Sequence, residues 1–192
     1  MTLLYLLLGS YLLGNILTAT IISNLFYKKE IHSEGSGNPG ARNVGRVFGK
    51  KAFVATFFGD AIKGALAVLA TKWLGFGMTI EILALIAVLL GHIYPVFFKF
   101  RGGQGISAFI GGLLAFNLPT FAVFVGIFLL LYAFIRSFTV AGLSAIVVVP
   151  VIVLSLSLGL QVFIATCFLS SLVLLAHKDD LKEKFMKERG GV

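Results

Sequence analysis

The chain has 192 residues, of which 58% are hydrophobic and only 12% charged, and its mean hydropathy is +1.01. A soluble domain carries about 25% charged residues, so this composition excludes one and defines an integral membrane protein. In so apolar a chain the formal charge of +8 points to anionic lipid headgroups and phosphorylated substrates, not to nucleic acid.

Seven apolar segments are predicted in chain order, at 3–26, 52–73, 80–98, 105–116, 119–135, 138–158 and 160–176. The first has no basic residue ahead of its apolar run, which argues against a cleaved leader despite the small residues Thr18-Ala19-Thr20. The fourth would be a helix of only about 18 Å, short for a membrane crossing, and it ends at the breaking sequence Asn117-Leu118-Pro119. Charge decides whether it crosses. With seven spans and the N-terminus outside, the inner loops hold Lys28, Lys29, Arg42, Arg46, Lys50, Lys51, Lys99, Arg101 and Arg136, and the inner tail holds Lys178, Lys182, Lys184, Lys187 and Arg189. Only Lys63, within a span, and Lys72, at the outer edge, fall elsewhere. With six spans the basic tail moves outside, against the positive-inside rule. The expected fold is therefore an all-α membrane protein. It is a seven-span helical bundle forming a single domain over residues 1–192, with the N-terminus outside, the C-terminus inside and glycine-rich loops facing the cytoplasm. The last residues, Gly190-Gly191-Val192, read as a frayed end.

The first of those loops is Ser33-Glu34-Gly35-Ser36-Gly37-Asn38-Pro39-Gly40-Ala41-Arg42-Asn43-Val44-Gly45-Arg46. Successive glycines let backbone N–H groups converge on one point, an anion-binding nest. Ser36, Asn38 and Asn43 add hydrogen bonds, and Arg42 and Arg46 add guanidinium forks suited to phosphate. The loop also matches the Gly-x-Gly-x-x-Gly dinucleotide fingerprint, with Asp60 twenty residues beyond Gly40. That fingerprint requires a preceding strand, and here an apolar span precedes it and Pro39 interrupts it. A second loop of the same character, Arg101-Gly102-Gly103-Gln104-Gly105, follows His92 and Lys99. Two such loops suggest two phosphates.

Asp60 and Lys63 share a helix face inside a span, where an ionised carboxylate must face the bundle interior or a polar cavity. A structural pair, with Lys63 snorkelling to the surface, and a functional pair are both open. His92 reads either as a buried neutral imidazole or as a group near phosphate. His177 closes the last span, where a helix C-terminus favours it. His32, between Glu30 and Glu34, reads as exposed. Cys167, the single cysteine, has no disulfide partner within the chain, and no Cys/His spacing resembles a zinc site. No Gly-x-Ser-x-Gly elbow, His-x-x-x-x-Asp signature or carboxylate cluster is present. Any reaction here should therefore use a substrate that is already activated, the protein supplying position and electrostatics.

Taken together, the motifs resemble the bacterial polytopic membrane acyl-phosphate:glycerol-3-phosphate acyltransferases. Residues 36–46 resemble that family's first signature, and Asp60-Ala61-Ile62-Lys63-Gly64 its Asp-x-x-Lys-Gly. His92-Ile93-Tyr94-Pro95-Val96-Phe97, continuing through Phe100-Arg101-Gly102-Gly103-Gln104-Gly105-Ile106, resembles its second loop, with Arg136-Ser137-Phe138-Thr139 and His177-Lys178 where a third loop and a closing motif belong. The resemblance implies acyl phosphate as donor and glycerol 3-phosphate as acceptor, lysophosphatidic acid as product, no cofactor, no metal, and a place in the cell membrane among its lipids. It also implies site residues: Ser36, Gly37, Asn38, Gly40, Arg42, Asn43, Arg46 and Lys63 for one phosphate, and Arg101, Gly102, Gly103, Gln104 and Gly105 for the other. Thr139 joins this binding set, and Asp60, His92 and His177 are the candidates for catalysis.

Three positions depart from the family pattern: Gln104 stands for a lysine, Gly142 for a serine and Asp180 for an asparagine. Arg42, where threonine is common, adds a cation. Three readings follow from these departures: an active acyltransferase with shifted preference, a weak paralogue that binds lipid phosphates or a partner enzyme, and a transporter of an anionic solute.

Overall fold

A computed structural model describes residues 1–189, and the frayed end expected at 190–192 lies outside the described residues. Every regular element among them is helical. The chain divides into two compact units, Met1–Leu118 and the residues from Pro119 onward.

The first unit holds α1 (Thr2–Gly14), α2 (Thr18–Tyr27), α3 (Ala41–Phe48), α4 (Lys50–Trp73), α5 (Met78–Ile93) and α6 (Ile106–Phe116), with 3-10 turns at Ile31–Ser33 and Val96–Phe98. The segment expected at 3–26 is two helices, not one. Asn15 turns its side chain back and donates from Nδ2 to the Tyr11 carbonyl at 2.8 Å, and Leu17 is extended (φ −87°, ψ 99°). An asparagine that bonds its own backbone competes with the helix ladder. In an apolar medium the carbonyls released at such a break need new donors, and the site below supplies one.

Close helix crossings in this unit run through glycines. A Cβ on Gly14 would strike the Val88 carbonyl and one on Gly91 the Tyr11 carbonyl, so α1 and α5 meet backbone to backbone. α4 and α6 cross in the same reciprocal way, Gly64 against the Ala108 carbonyl and Gly111 against the Ala61 carbonyl. Small residues at such crossings gain van der Waals contact where lipid gives helices no hydrophobic drive to associate. The 11-residue α6 is further held at its end: Lys72 donates from Nζ to the Phe116 carbonyl at 2.7 Å and pairs with Glu81 at 3.6 Å. The one basic residue expected at the outer edge is thus the cap of the short helix.

The second unit holds α7 (Leu118–Ile135, whose first residue closes the first unit), α8 (Phe138–Ser155), α9 (Leu160–Ala176) and α10 (Lys178–Arg189). α8 carries Pro150 in its interior. Proline has no N–H, so the carbonyl four residues earlier, that of Ile146, loses its helical partner. Ser170 on α9 replaces it, donating from Oγ to the Ile146 oxygen at 2.8 Å. Ser170→Ala should therefore lower the unfolding midpoint in detergent, by about 1–3 kcal/mol for a buried acceptor left unsatisfied. Adding Pro150→Ala restores the N–H and should recover most of the loss. Strict additivity of the two changes would show that the proline does not set the need for the serine.

Five stretches are long and apolar enough to cross a membrane: Thr2–Tyr27, Lys50–Trp73, Met78–Phe98, Leu118–Ile135 and Phe138–Ser155. Ile106–Phe116 and Leu160–Ala176 are shorter apolar helices.

Candidate active site: two glycine-rich loops and a buried ammonium

Each glycine-rich stretch runs directly into a helix N-terminus. Gly40 precedes α3 and Gly105, at φ +81°, precedes α6. The first N–H groups of a helix lack intrahelical partners and carry the positive end of its dipole, an arrangement suited to phosphate oxygens.

The first loop is clipped by Asn43. Its Oδ1 accepts the Ser36 N–H at 2.9 Å, and its Nδ2 donates to the Glu34 carbonyl at 2.9 Å. Asn43 was expected to touch phosphate; here its amide nitrogen and oxygen both shape the loop. Gly35 (φ +60°) presses against this amide, which leaves no room for a Cβ. Around the loop, Ser36, Arg42 and Arg46 are exposed, while Gly37, Asn38 and Gly40 are half-buried. The Asn38 Oδ1 is buried, with no hydrogen-bond partner among the described residues.

The second loop hangs from the end of α5. Gly103 donates its N–H to the His92 carbonyl at 3.0 Å, and Gly102 donates to the Ile93 carbonyl at 3.2 Å. Lys99 and Phe100 both take positive φ on the way. Arg101 is exposed, Gly102 and Gln104 are half-buried, and Gly103 and Gly105 are buried.

The loops meet. His32, expected to be merely exposed, is half-buried and donates from Nε2 to the Arg101 carbonyl at 3.0 Å. A Cβ on Gly103 would collide with the His92 ring and lie 3.0 Å from the Pro39 carbonyl oxygen, so only a glycine fits there.

Beneath them lies a buried cluster. Lys63 does not snorkel. It is 3% exposed, and Nζ donates to the Gly14 carbonyl at 3.2 Å, the Ile16 carbonyl at 2.7 Å and His92 Nδ1 at 2.7 Å. With the Asp60 carboxylate, four acceptors surround the three hydrogens of the ammonium. Asp60 stands 3.0 Å from Nζ as the ion-pair partner. Lys63 was expected to grip a phosphate; in the structure it lies under the break between α1 and α2, bonded to the Gly14 and Ile16 carbonyls. Sequence reasoning missed Gly14, Asn15 and Ile16. The signal was Gly14-Asn15, a flexible and a polar residue in mid-span.

Thr139 and His177 lie in the second unit. Thr139 is in the first turn of α8, whose N-cap is Ser137. His177 follows α9, is 4% exposed, and donates from Nδ1 to the Val173 carbonyl at 2.8 Å.

An all-helical membrane protein whose polar loops end at helix N-termini, with arginines in the same stretches, has the features that suit handling of phosphorylated molecules. Comparison with known proteins narrows this: the family described as Glycerol-3-phosphate acyltransferase matches residues 4–187, and the chain belongs to that family. It is 47% identical over 173 residues to glycerol-3-phosphate acyltransferase 1 of Bacillus cereus (strain ATCC 14579), covering 90% of this chain and 95% of that one. It is 37% identical over 184 residues to glycerol-3-phosphate acyltransferase 1 of Desulfitobacterium hafniense, covering 96% and 91%. The crystal structure of PlsY, an integral membrane glycerol 3-phosphate acyltransferase, in its glycerol 3-phosphate form superposes with a TM-score of 0.88 at 28% identity, over 97% of this chain and 94% of that one. Its lysophosphatidic acid form gives 0.86.

Proposed function

We propose that this protein transfers an acyl group from acyl phosphate to the 1-hydroxyl of glycerol 3-phosphate in phospholipid synthesis. The hydroxyl oxygen attacks the acyl carbonyl carbon, and the C–O bond to phosphate breaks with its electron pair going to the phosphate. The hydroxyl proton passes to a phosphate oxygen, giving lysophosphatidic acid and inorganic phosphate. Acyl phosphate is already activated, which suits a site whose residues hold and orient anions. The observation that carries this reading is the meeting of two glycine-rich loops, each ending at a helix N-terminus. Ser36, Gly37, Asn38, Gly40, Arg42 and Arg46 hold one phosphate. Arg101, Gly102, Gly103, Gln104 and Gly105 hold the other and line the developing oxyanion. Asn43 and Lys63 shape the site from outside it. The names of the relatives favour an enzyme over a binding protein or an anion transporter.

The test is purified protein in detergent with acyl phosphate and glycerol 3-phosphate, scored for lysophosphatidic acid, with acyl-CoA and acyl carrier protein donors run in parallel. Arg46→Ala removes a charge-assisted bond worth about 1.5–3 kcal/mol, so turnover should fall about 10- to 100-fold with the protein still folded. Asn38→Ala should fall likewise. Full activity in both would make the loop structural only. The same assay extends to Thr139→Ala and His177→Gln.

The seven-span arrangement in the cell membrane, N-terminus outside and active-site loops in the cytoplasm, is proposed on the distribution of basic residues. The continuous family match over residues 4–187 supports treating residues 1–192 as one domain. After removal of Cys167, a cysteine at Gly77 should react with an impermeant thiol reagent in intact cells and one at Lys182 should not. Labelling at Lys182 from outside would overturn this topology.

A further inference from the structure

We infer that Lys63 fixes His92 as the tautomer protonated on Nε2, and that this N–H is a donor to a substrate phosphate oxygen at the junction of the two loops, not a proton acceptor. The inference rests on the phosphate-handling reading above and gives His92 a role within it.

A lysine ammonium only donates. Its contact with His92 Nδ1 at 2.7 Å therefore requires the Nδ1 lone pair, and a neutral imidazole so bound carries its proton on Nε2. The carboxylate of Asp60 is 3.0 Å from Nζ but 3.9 Å from Nδ1. The second distance is too long for a hydrogen bond, so Asp60 balances the ammonium without claiming a proton from Nδ1. His92 is 2% exposed, so its ring is held, and Nε2 has one direction in which to act. That direction is Gly103, where a Cβ would collide with Nε2 and lie near the Pro39 carbonyl. Pro39 belongs to the first loop and Gly103 to the second. The donor thus lies where the two loops meet, at residues just ahead of the N-caps of α3 and α6, Gly40 and Gly105.

A nitrogen that already bears hydrogen has no lone pair to take a proton from the attacking hydroxyl. His92 touches substrate as a donor, and Lys63 is a positioning residue that acts through it. The break between α1 and α2 gains a purpose: its carbonyls, with Asp60, hold the ammonium that sets the tautomer.

Two measurements test this. Nitrogen-15 NMR of histidine-labelled protein in detergent, with the His92 signal identified as the one lost in His92→Gln, should show Nε2 protonated and Nδ1 accepting throughout neutral pH. In the acylation assay His92→Leu and His92→Asn, whose amide reaches only the Nδ1 position, should each lose about 10- to 100-fold. His92→Gln, whose amide N–H can occupy the Nε2 position but cannot act as a base, should recover most of that loss and keep the wild-type pH–rate profile. A wild-type signal protonated on Nδ1 overturns the inference. So does His92→Gln as slow as His92→Leu with all variants folded. If wild-type protein acylates nothing, the proposed reaction fails, and the NMR experiment still decides the tautomer.

Discussion

Lys63→Met should unfold at a markedly lower midpoint in detergent than the wild type, with a loss of about 3–5 kcal/mol, the usual result of removing one partner of a buried ion pair. The physical cause is specific. The substitution leaves the Asp60 carboxylate, 1% exposed, without a countercharge, and it strips the donor from the Gly14 and Ile16 carbonyls at a point where the helix cannot supply another. Lys63→Met with Asp60→Asn removes the uncompensated charge and should recover a substantial part of the loss, but not all, because the two carbonyls stay unpaired. Circular dichroism or a thermal-shift measurement on the three proteins decides. Equal stability of Lys63→Met and the wild type would show that the break between α1 and α2 holds without the ammonium.

Gln104→Lys should raise kcat/KM with acyl phosphate by about tenfold or more. An amide at this position, in a loop suspended from His92 and Ile93, brings a dipole to a phosphate that gains charge as it leaves. An ammonium brings a full charge into a water-poor setting, where one well-placed donor is worth about 2.7–4 kcal/mol in the transition state. Residues that act on one charge are not additive, so the other departures from the family pattern are tested with it. Gly142→Ser is accommodated, because a Cβ there meets no atom within 4 Å, and it can be combined with Asp180→Asn in a triple variant. If Arg42 already supplies the missing charge, Gln104→Lys changes little and Arg42→Thr abolishes activity. Steady-state kinetics on the single and triple variants separates a weakened site from a rewired one. No activity in the wild type or in either variant, with all of them folded, would leave a binding protein.

The two glycine-rich stretches were legible as polar loops between apolar spans, because glycine, arginine and hydropathy are local marks, and the structure brings the two loops together at Pro39 and Gly103. The partners of Asn43 and Lys63 were not legible. Their residue types suit phosphate, but which partner each meets depends on backbone groups elsewhere: Glu34 and Ser36 for the one, Gly14 and Ile16 for the other. His32 read as exposed because its neighbours on the chain are charged, whereas its partner, Arg101, is 69 residues away.

The sequence by itself determined that the chain is helical and membrane-embedded, and where its polar loops lie, because hydropathy and glycine content are properties of consecutive residues. It did not determine that the first apolar segment breaks at Asn15, what closes the short α6 whose end it predicted, or that a proline can sit inside α8. The break, the helix end and the proline each expose backbone polar groups that lipid cannot satisfy. The donors that permit them, Lys63, Lys72 and Ser170, come from other helices. Only the tertiary structure could decide those pairings, since a hydrogen bond between distant residues is fixed by how helices pack and not by the order of residues along any one of them.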